Sequence, residues 1–384
     1  MSSHPTVCFI TMCKNESHCI RTTLESIHHL IDYWVVCDTG STDNTCEIVS
    51  EFFKEKNIPG ELFIDEFKGF DKHKTLMFER AYNKTDLVLH LDADDFLVGN
   101  LTKDMFMGLS DDKYNFNYVR GPSKFITSSL YNNRLKWLYA GVAHNIIVCL
   151  DKPNHTTSNV FLKDDLYVDN NERGARKFDP NKYINDAIKL KDQFFDTLYE
   201  DPYGLMYRSV FYTGQSYMDS KHYKEAIQWY TLYIHLKDTW VEERFEAHTR
   251  LAKCMISLDF PEEKIKHHIE QAIAIFPDRA EPNYILGKYY NGKSRCDLGY
   301  GYLRTAYEKN FQEVSDKYVL FVNKYMYGKH VYDELSVACY WTNRGQEGYD
   351  LLKQILDDPE FEWTSERLAQ NKQHFLNKYP ELEL

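Results

Sequence analysis

Between residues 6 and 91, short β-branched or aromatic runs alternate with stretches of helical periodicity, the pattern of βαβ units around a parallel sheet. The strand-like runs cover residues 7–11, 33–37, 61–66 and 87–91. After the first, Ile20, Leu24, Ile27 and Ile31 recur at spacings of four, three and four, which puts them on one face of a helix. Cys46, Val49 and Phe53 repeat the pattern after Ser41, Thr42 and Asp43, residue types suited to capping a helix N-terminus. Past Asp95 the signal turns irregular. Runs at 114–119, 124–130 and 145–150, broken by Gly121, Pro122 and Gly141, read as a mixed extension of the sheet.

Residues 169–180, DNNERGARKFDP, are polar and charged with a Gly and a Pro, and everything beyond is helical in period. The expected domains are therefore an α/β domain at 1–175 and an all-helical one at 176–384. In the second, small residues sit among aromatics, as in Tyr212-Thr213-Gly214-Gln215-Ser216-Tyr217 with Ala226, and Tyr284-Ile285-Leu286-Gly287 with Ala306. Gly214 and Gly287 are 73 residues apart, near two periods of the 34-residue tetratricopeptide unit, and Leu251-Ala252-Lys253-Cys254 falls between them. Residues 331–356 read as a degenerate copy of the kind that caps a helical stack.

The length of 384 residues, beyond what one hydrophobic core usually serves, agrees with two domains. A net charge of -12 with no Lys/Arg run argues against nucleic acid as a partner. No stretch approaches 18 apolar residues and the first residues lack a secretion signal, so a soluble chain without a membrane span is expected. Nine scattered cysteines, an odd count without a CxxC pair, read as reduced thiols of a cytoplasmic protein.

The chemistry concentrates at strand ends. Residues 87–95, LVLHLDADD, form an apolar strand running into three carboxylates, and in open α/β sheets ligands bind beyond the carboxyl ends of strands. On an extended strand Asp92 and Asp94 would share a face, the grouping of oxygens a hard divalent cation takes. Read alone, DADD is equally a solvated turn with Asp94 or Asp95 capping the next segment. Residues 33–45, YWVVCDTGSTDNT, break from a strand into a Gly-containing turn and then a helix. Asp38 at that strand tip could accept hydrogen bonds from a base or ribose, or simply cap the turn. Tyr131, Trp137 and Tyr139 could stack on a sugar, but core packing explains them as well.

With Met12-Cys13-Lys14-Asn15-Glu16, then DTGSTD at 38–43 and LDADD at 91–95, the chain resembles the family-2 glycosyltransferases of GT-A fold. Within them it is similar to the branch whose catalytic domain precedes tetratricopeptide-like helices, which residues 208–230 also match. The resemblance implies a Rossmann-like nucleotide-sugar-binding domain with a mixed sheet, followed by a TPR-like helical repeat domain. It places Thr11, Asn15 and Glu16 against the nucleotide and Asp38 on its base or ribose. Asp92, Ala93 and Asp94 would lie at the diphosphate, Asp92 and Asp94 holding Mn²⁺ or Mg²⁺. Where the family often has Arg-Asn, this chain has Lys72-His73-Lys74-Thr75, and Lys74 could supply a point charge to phosphate. A Gly-x-x-His-Glu signature becomes Gly141-Val142-Ala143-His144-Asn145, which keeps His144 as a further metal or phosphate ligand but replaces the glutamate with a side chain that cannot be a base.

The implied reaction is an inverting transfer of a hexose from a nucleoside diphosphate sugar, UDP first, to a protein, glycan or lipid hydroxyl, the acceptor resting on the helical repeats. Asp95 is the first candidate for the base, within a catalytic pair with Asp94, and Asp164 and Asp165 stand in reserve. A homodimer is compatible with this reading. A scaffold that binds the nucleotide sugar without turnover is the alternative, kept open by Asn145. A nucleotidyltransferase would want a Gly-rich loop after its first strand, and MCKNES has no glycine.

Overall fold

The computed structural model describes residues 4–121, 123–170, 173–356 and 365–383. It divides into two compact units, residues 1–220 and 221–384.

The first unit opens with β1 (Val7–Cys13), α1 (Ile20–Ile27), β2 (Tyr33–Asp38), α2 (Thr45–Glu55), β3 (Gly60–Ile64), α3 (Phe70–Ala81) and β4 (Leu87–His90). The strands β5 (Phe96–Val98), β6 (Lys113–Arg120), β7 (Ser123–Asn132), β8 (Trp137–Ala140), β9 (Ile146–Cys149), β10 (Thr157–Phe161) and β11 (Tyr167–Asp169) come next. The helices α4 (Lys182–Thr197) and α5 (Leu205–Asp219) complete it. The main sheet runs β3-β2-β1-β4-β7-β6-β11-β5, with β10 alongside the start of β6. β3, β2, β1 and β4 are mutually parallel, and β7 turns antiparallel against β4, so the sheet is mixed as expected.

Alternation along the strands sorts the core into two layers. Val7, Phe9, Val36, Leu87 and Leu89 pack with Ile20, Leu24, Ile27 of α1 and Val49, Phe52, Phe53 of α2. Cys8, Ile10, Val35, Cys37 and Val88 face the other way, onto Met77, Phe78 and Ala81 of α3. Tyr131 and Trp137 belong to that second layer, which settles them as core residues. Helices α1 and α2 thus cover one face of the sheet and α3 the other, so β1 and β4 flank the point where the winding reverses.

The change from sheet to helix falls near the expected boundary at 175, yet the first compact unit continues to 220. Side chains of α4 and α5 account for this. Gln193 of α4 accepts a hydrogen bond from the Val142 amide at 2.7 Å and donates to Ser209 of α5 at 2.7 Å, while Arg208 donates to the His144 carbonyl at 2.6 Å. The turn after β8 is thereby clamped to both helices.

The second unit contains α6 (Tyr223–His235), α7 (Val241–Ser257), α8 (Glu262–Ile275), α9 (Glu281–Gly292), α10 (Cys296–Tyr307), α11 (Phe311–Lys317), α12 (Lys329–Trp341), α13 (Gly345–Leu356) and α14 (Ser365–Lys378). Consecutive helices pack in hairpins, and α9 and α10 touch almost backbone to backbone. A Cβ on Gly287 would lie 2.5 Å from Leu303 and one on Gly299 3.1 Å from the Gly287 carbonyl, which explains the small residues read from the sequence. The stretch after α11 is held by buried charges of α7 and of the turn before α9. Glu242 accepts the amides of Val319 and Leu320, and Arg279, 0% exposed between Glu246 and Glu281, donates to the Leu320 carbonyl at 3.1 Å. All nine cysteines are free thiols, eight of them buried. Among the described residues no helix is long and apolar enough to cross a membrane.

His248 of α7 and His268 of α8 face each other with their Nδ1 atoms 3.0 Å apart. Burial, reinforced by neighbouring His267 and His235, lowers each from 6.5 to about 4. Their folded pKa lies below the unfolded value, so the unfolded chain takes up protons first on acidification. Stability is full above pH 6.5 and is lost as pH falls toward 4. The expected result is a melting temperature for this unit that drops across that window in wild type and drops less in His248→Gln, followed by circular dichroism.

Candidate active site

The residues around the carboxyl ends of β1, β2 and β4 form one connected structure. The loops after β1 and β2 are joined by a set of side-chain hydrogen bonds. The Asn15 amide donates to Ser41 Oγ at 2.8 Å, Asn15 Oδ1 accepts the Thr42 amide at 2.7 Å, the Glu16 amide donates to Thr45 Oγ1 at 2.9 Å, and the Ser17 amide donates to Asp43 Oδ2 at 3.2 Å. Asn15 has φ 58, a left-handed conformation that asparagine tolerates better than most residues. The two motifs read separately in the sequence are thus two sides of one contact.

Asp38 builds this contact from below. Its Oδ1 accepts the amides of Gly40 and Ser41 at 2.9 and 2.8 Å, and its Oδ2 takes the Ser41 hydroxyl and, at 3.6 Å, the Cys13 thiol. With its lone pairs so engaged and 1% of its surface exposed, Asp38 holds the turn together. Thr11 is likewise 0% exposed. Both side chains expected against the nucleotide are thus buried at the strand ends in this structure.

The strand β4 stops at His90, and residues 92–95 form a turn closed by the Asp95 amide on the Asp92 carbonyl at 3.0 Å. On this turn the three carboxylates take three different partners, Lys74, the Gly174 amide and Asn170. Asp92 reaches Lys74 Nζ of α3 at 2.8 Å and stands 3.6 Å from His90 Nε2. Burial alone would raise Asp92, but the Lys74 charge and its hydrogen bond outweigh it and hold the carboxyl down at about 2. Burial, then the Lys74 charge, lowers His90 to about 3, so its ring is neutral and its Nδ1 pairs with the Tyr139 hydroxyl at 3.1 Å.

Asp94 is bonded to the segment that follows β11. Its Oδ2 accepts the Gly174 amide at 2.7 Å, and a Cβ on Gly174 would lie 2.9 Å from that oxygen and 3.1 Å from Glu16 Oε1. Glu16 and Asp94, expected to face the nucleotide, are thus brought to a common point between β1 and β4. Gly174 has an ordinary φ of -62, so glycine is required there for space. Gly174→Ala is expected to keep the melting temperature and to cut turnover by an order of magnitude, measured as nucleotide release. Full activity in that variant would show that the close approach is immaterial.

Asp95 is 1% exposed and accepts a hydrogen bond from Asn170 Nδ2 at 2.6 Å, and Asn170 is in turn gripped by Arg120 Nε at 2.8 Å. Burial, with the nearby Asp92 and Asp94 charges, pushes it well above the usual carboxylate range. In this structure Asp95 supports the turn from beneath through its bond to Asn170. Ala93 is 4% exposed with its carbonyl held by Thr23 Oγ1 of α1 at 2.8 Å, which anchors the turn between the two outer acids. Asp164 is exposed and paired with Lys124, and Asp165 is exposed.

His144 lies in the turn between β8 and β9. It is exposed, has φ 50, and stacks on Tyr212 of α5 with ring centroids 3.9 Å apart. Among the described residues, the only group of three metal-ligating side chains is Glu16, His18 and Cys19. Sequence reading missed Thr23, His90, Arg120, Asn170 and Gly174. Their signal lies in side-chain hydrogen bonds across the chain, which no local pattern carries.

A parallel βαβ sheet with a reversal of winding between β1 and β4, covered loops there and acids at the strand ends define a nucleotide-binding domain of GT-A type. Residues 8–170 match the model of "Glycosyl transferase family 2", and the chain carries a glycosyltransferase domain of that family. No curated protein matches the chain in sequence. Among solved structures, the helical part is similar to MamA, 15% identical over 53% of this chain and 95% of that one with a TM-score of 0.31. It is similar to a tetratricopeptide repeat protein from Parabacteroides merdae, 14% identical over 53% and 69%, TM-score 0.37. TTC0263, a TPR protein of Thermus thermophilus, is 11% identical over 51% and 92%, TM-score 0.32. These neighbours are distant, and the helical hairpins described above define that part of the chain on their own.

Proposed function

We propose that the first unit catalyses metal-dependent, inverting transfer of a hexose from a uridine diphosphate sugar to a hydroxyl of a protein, glycan or lipid. The convergence of Glu16 and Asp94 between β1 and β4 carries this reading, because that crevice is where open α/β sheets receive phosphorylated ligands. The donor atoms of Asp92 and Asp94 are carboxylate oxygens, which fit a hard cation. Such ions are often held by one or two carboxylates, with substrate phosphates completing the shell. Asp92 and Asp94 would hold Mn²⁺ or Mg²⁺, which when bound offsets the charge that develops on the departing diphosphate.

The chain's own groups do the rest. Lys74 places a positive charge beside Asp92, on the side of α3. Thr23 and the Arg120–Asn170–Asp95 relay fix the turn that carries both acids, so that their positions need not be paid for in the transition state. In the transfer the acceptor oxygen bonds to the anomeric carbon as the bond to the diphosphate oxygen breaks, and the hydroxyl proton leaves to a carboxylate. Asp95 in this scheme is a positioning residue.

The test is nucleotide release from a panel of sugar nucleotides by the purified full chain with Mn²⁺. Slow release of UDP from one donor without acceptor is expected. No release from any donor, with a melting temperature unmoved by nucleotide plus metal, would overturn the reading and leave a non-enzymatic scaffold.

A further inference from the structure

We infer that Glu16, His18 and Cys19 form a second cation site, for a soft divalent ion of the Zn²⁺ kind, beside the acids already described. One ligand atom from each of the three lies within 4.8 Å of the others. Cys19 Sγ stands 3.3 Å from Glu16 Oε2, close to the edge of about 3.5 Å that a tetrahedron with zinc bonds of 2.0–2.3 Å would have. The sequence spacing, Glu16-Ser17-His18-Cys19, places all three in the turn that leads into α1, whose first residues fix their backbone through the Glu16 carbonyl bonds to the Cys19 and Ile20 amides.

His18 has the second partner typical of a bound imidazole. Its Nε2 lies 2.7 Å from the Arg173 carbonyl, which can only accept, so Nε2 carries the proton and Nδ1 keeps a lone pair. The thiol is 6% exposed and lies directly beside the Glu16 carboxylate. Binding replaces the thiol proton, which leaves to solvent, with a sulfur–metal bond. No redox change is involved. Thiolate with imidazole selects zinc over Mg²⁺ or Mn²⁺, whereas Asp92 and Asp94 offer only oxygen.

The position bears on the proposed reaction, on which this part rests. Glu16 Oε1 and Asp94 Oδ2 flank one point at Gly174, so an ion on Glu16, His18 and Cys19 adds positive charge beside Asp94 and takes an oxygen from the donor side of the crevice. Zn²⁺ at this site inhibits transfer.

The experiment titrates the full chain with Zn²⁺ against a chromophoric chelator and with Co²⁺ while the near-ultraviolet spectrum is read. One equivalent with a sulfur-to-cobalt charge-transfer band is expected in wild type, with at least tenfold weaker binding and no band in Cys19→Ser, and weaker binding in His18→Ala. His18 is exposed, so that variant should fold, and circular dichroism checks both. Absence of a band in wild type, or equal binding in the folded Cys19→Ser chain, overturns the site. Nucleotide release is then measured with added Zn²⁺. Inhibition of wild type but not of Cys19→Ser is expected, and equal inhibition of both overturns the link to turnover. A chain that binds Zn²⁺ as described but releases no nucleotide from any donor retains the site and loses the glycosyl-transfer reading instead.

Discussion

Asp94→Ala is expected to lower nucleotide release from the preferred donor roughly 100-fold or more, the range seen when one group that stabilises developing charge is removed. The melting temperature should stay near that of wild type, because Asp94 is half-buried and gives up one hydrogen bond, from the Gly174 amide. That bond makes Asp94→Asn the informative companion. Asparagine keeps an oxygen for Gly174 and removes the charge. Equal loss in both variants assigns the effect to charge at the diphosphate, whereas full activity in Asp94→Asn reduces Asp94 to an anchor for the Gly174 segment.

Asp38→Ala should act through the fold. The substitution strips acceptors from the Gly40 and Ser41 amides, the Ser41 hydroxyl and the Cys13 thiol, all close to the 1%-exposed carboxylate. Each buried donor left unsatisfied costs about 1–3 kcal/mol, so a loss of roughly 2–4 kcal/mol is expected after some rearrangement. For a unit of this size that corresponds to a fall of about 5–15 °C in melting temperature. Asp38→Asn keeps an oxygen for the two amides and should recover most of it. A normally stable Asp38→Ala chain with a raised donor KM would instead return Asp38 to the direct nucleotide contact that its place in the motif suggests.

The sheet core is legible because its strands are short apolar runs bounded by turns, and β1, β2 and β4 lie within two residues of where the pattern puts them. Ile20, Leu24 and Ile27 fall on the buried face of α1, while Ile31 lies beyond its end, because the helix stops at Ile27. Helix α3 escapes the pattern: its buried residues His73, Met77, Phe78 and Ala81 mix a histidine with apolar types, which blurs the periodicity. The acids of the site are visible as letters, but their directions are not. The chain turns at residue 92, and Asp92, Asp94 and Asp95 are each bonded to a partner far away in sequence: Lys74 by 18 residues, Gly174 by 80 and Asn170 by 75. DTGSTD reads as a ligand motif, yet it is first a self-contained turn whose aspartate bonds the residues two and three further on. His144 is carried over by resemblance, and its place is set instead by stacking on Tyr212 and by Arg208, in the same contact that extends the first unit to residue 220.

The central claim is that oxygens of Asp92 and Asp94 hold a hard cation against a nucleotide diphosphate, and calorimetric titration of UDP into the full chain addresses it directly. With Mn²⁺ present, wild type should bind UDP at least tenfold more tightly than in chelator, and an Asp92→Asn, Asp94→Asn chain should lose that difference. Equal affinity with and without metal in wild type would contradict the claim and assign the diphosphate's counter-charge to Lys74.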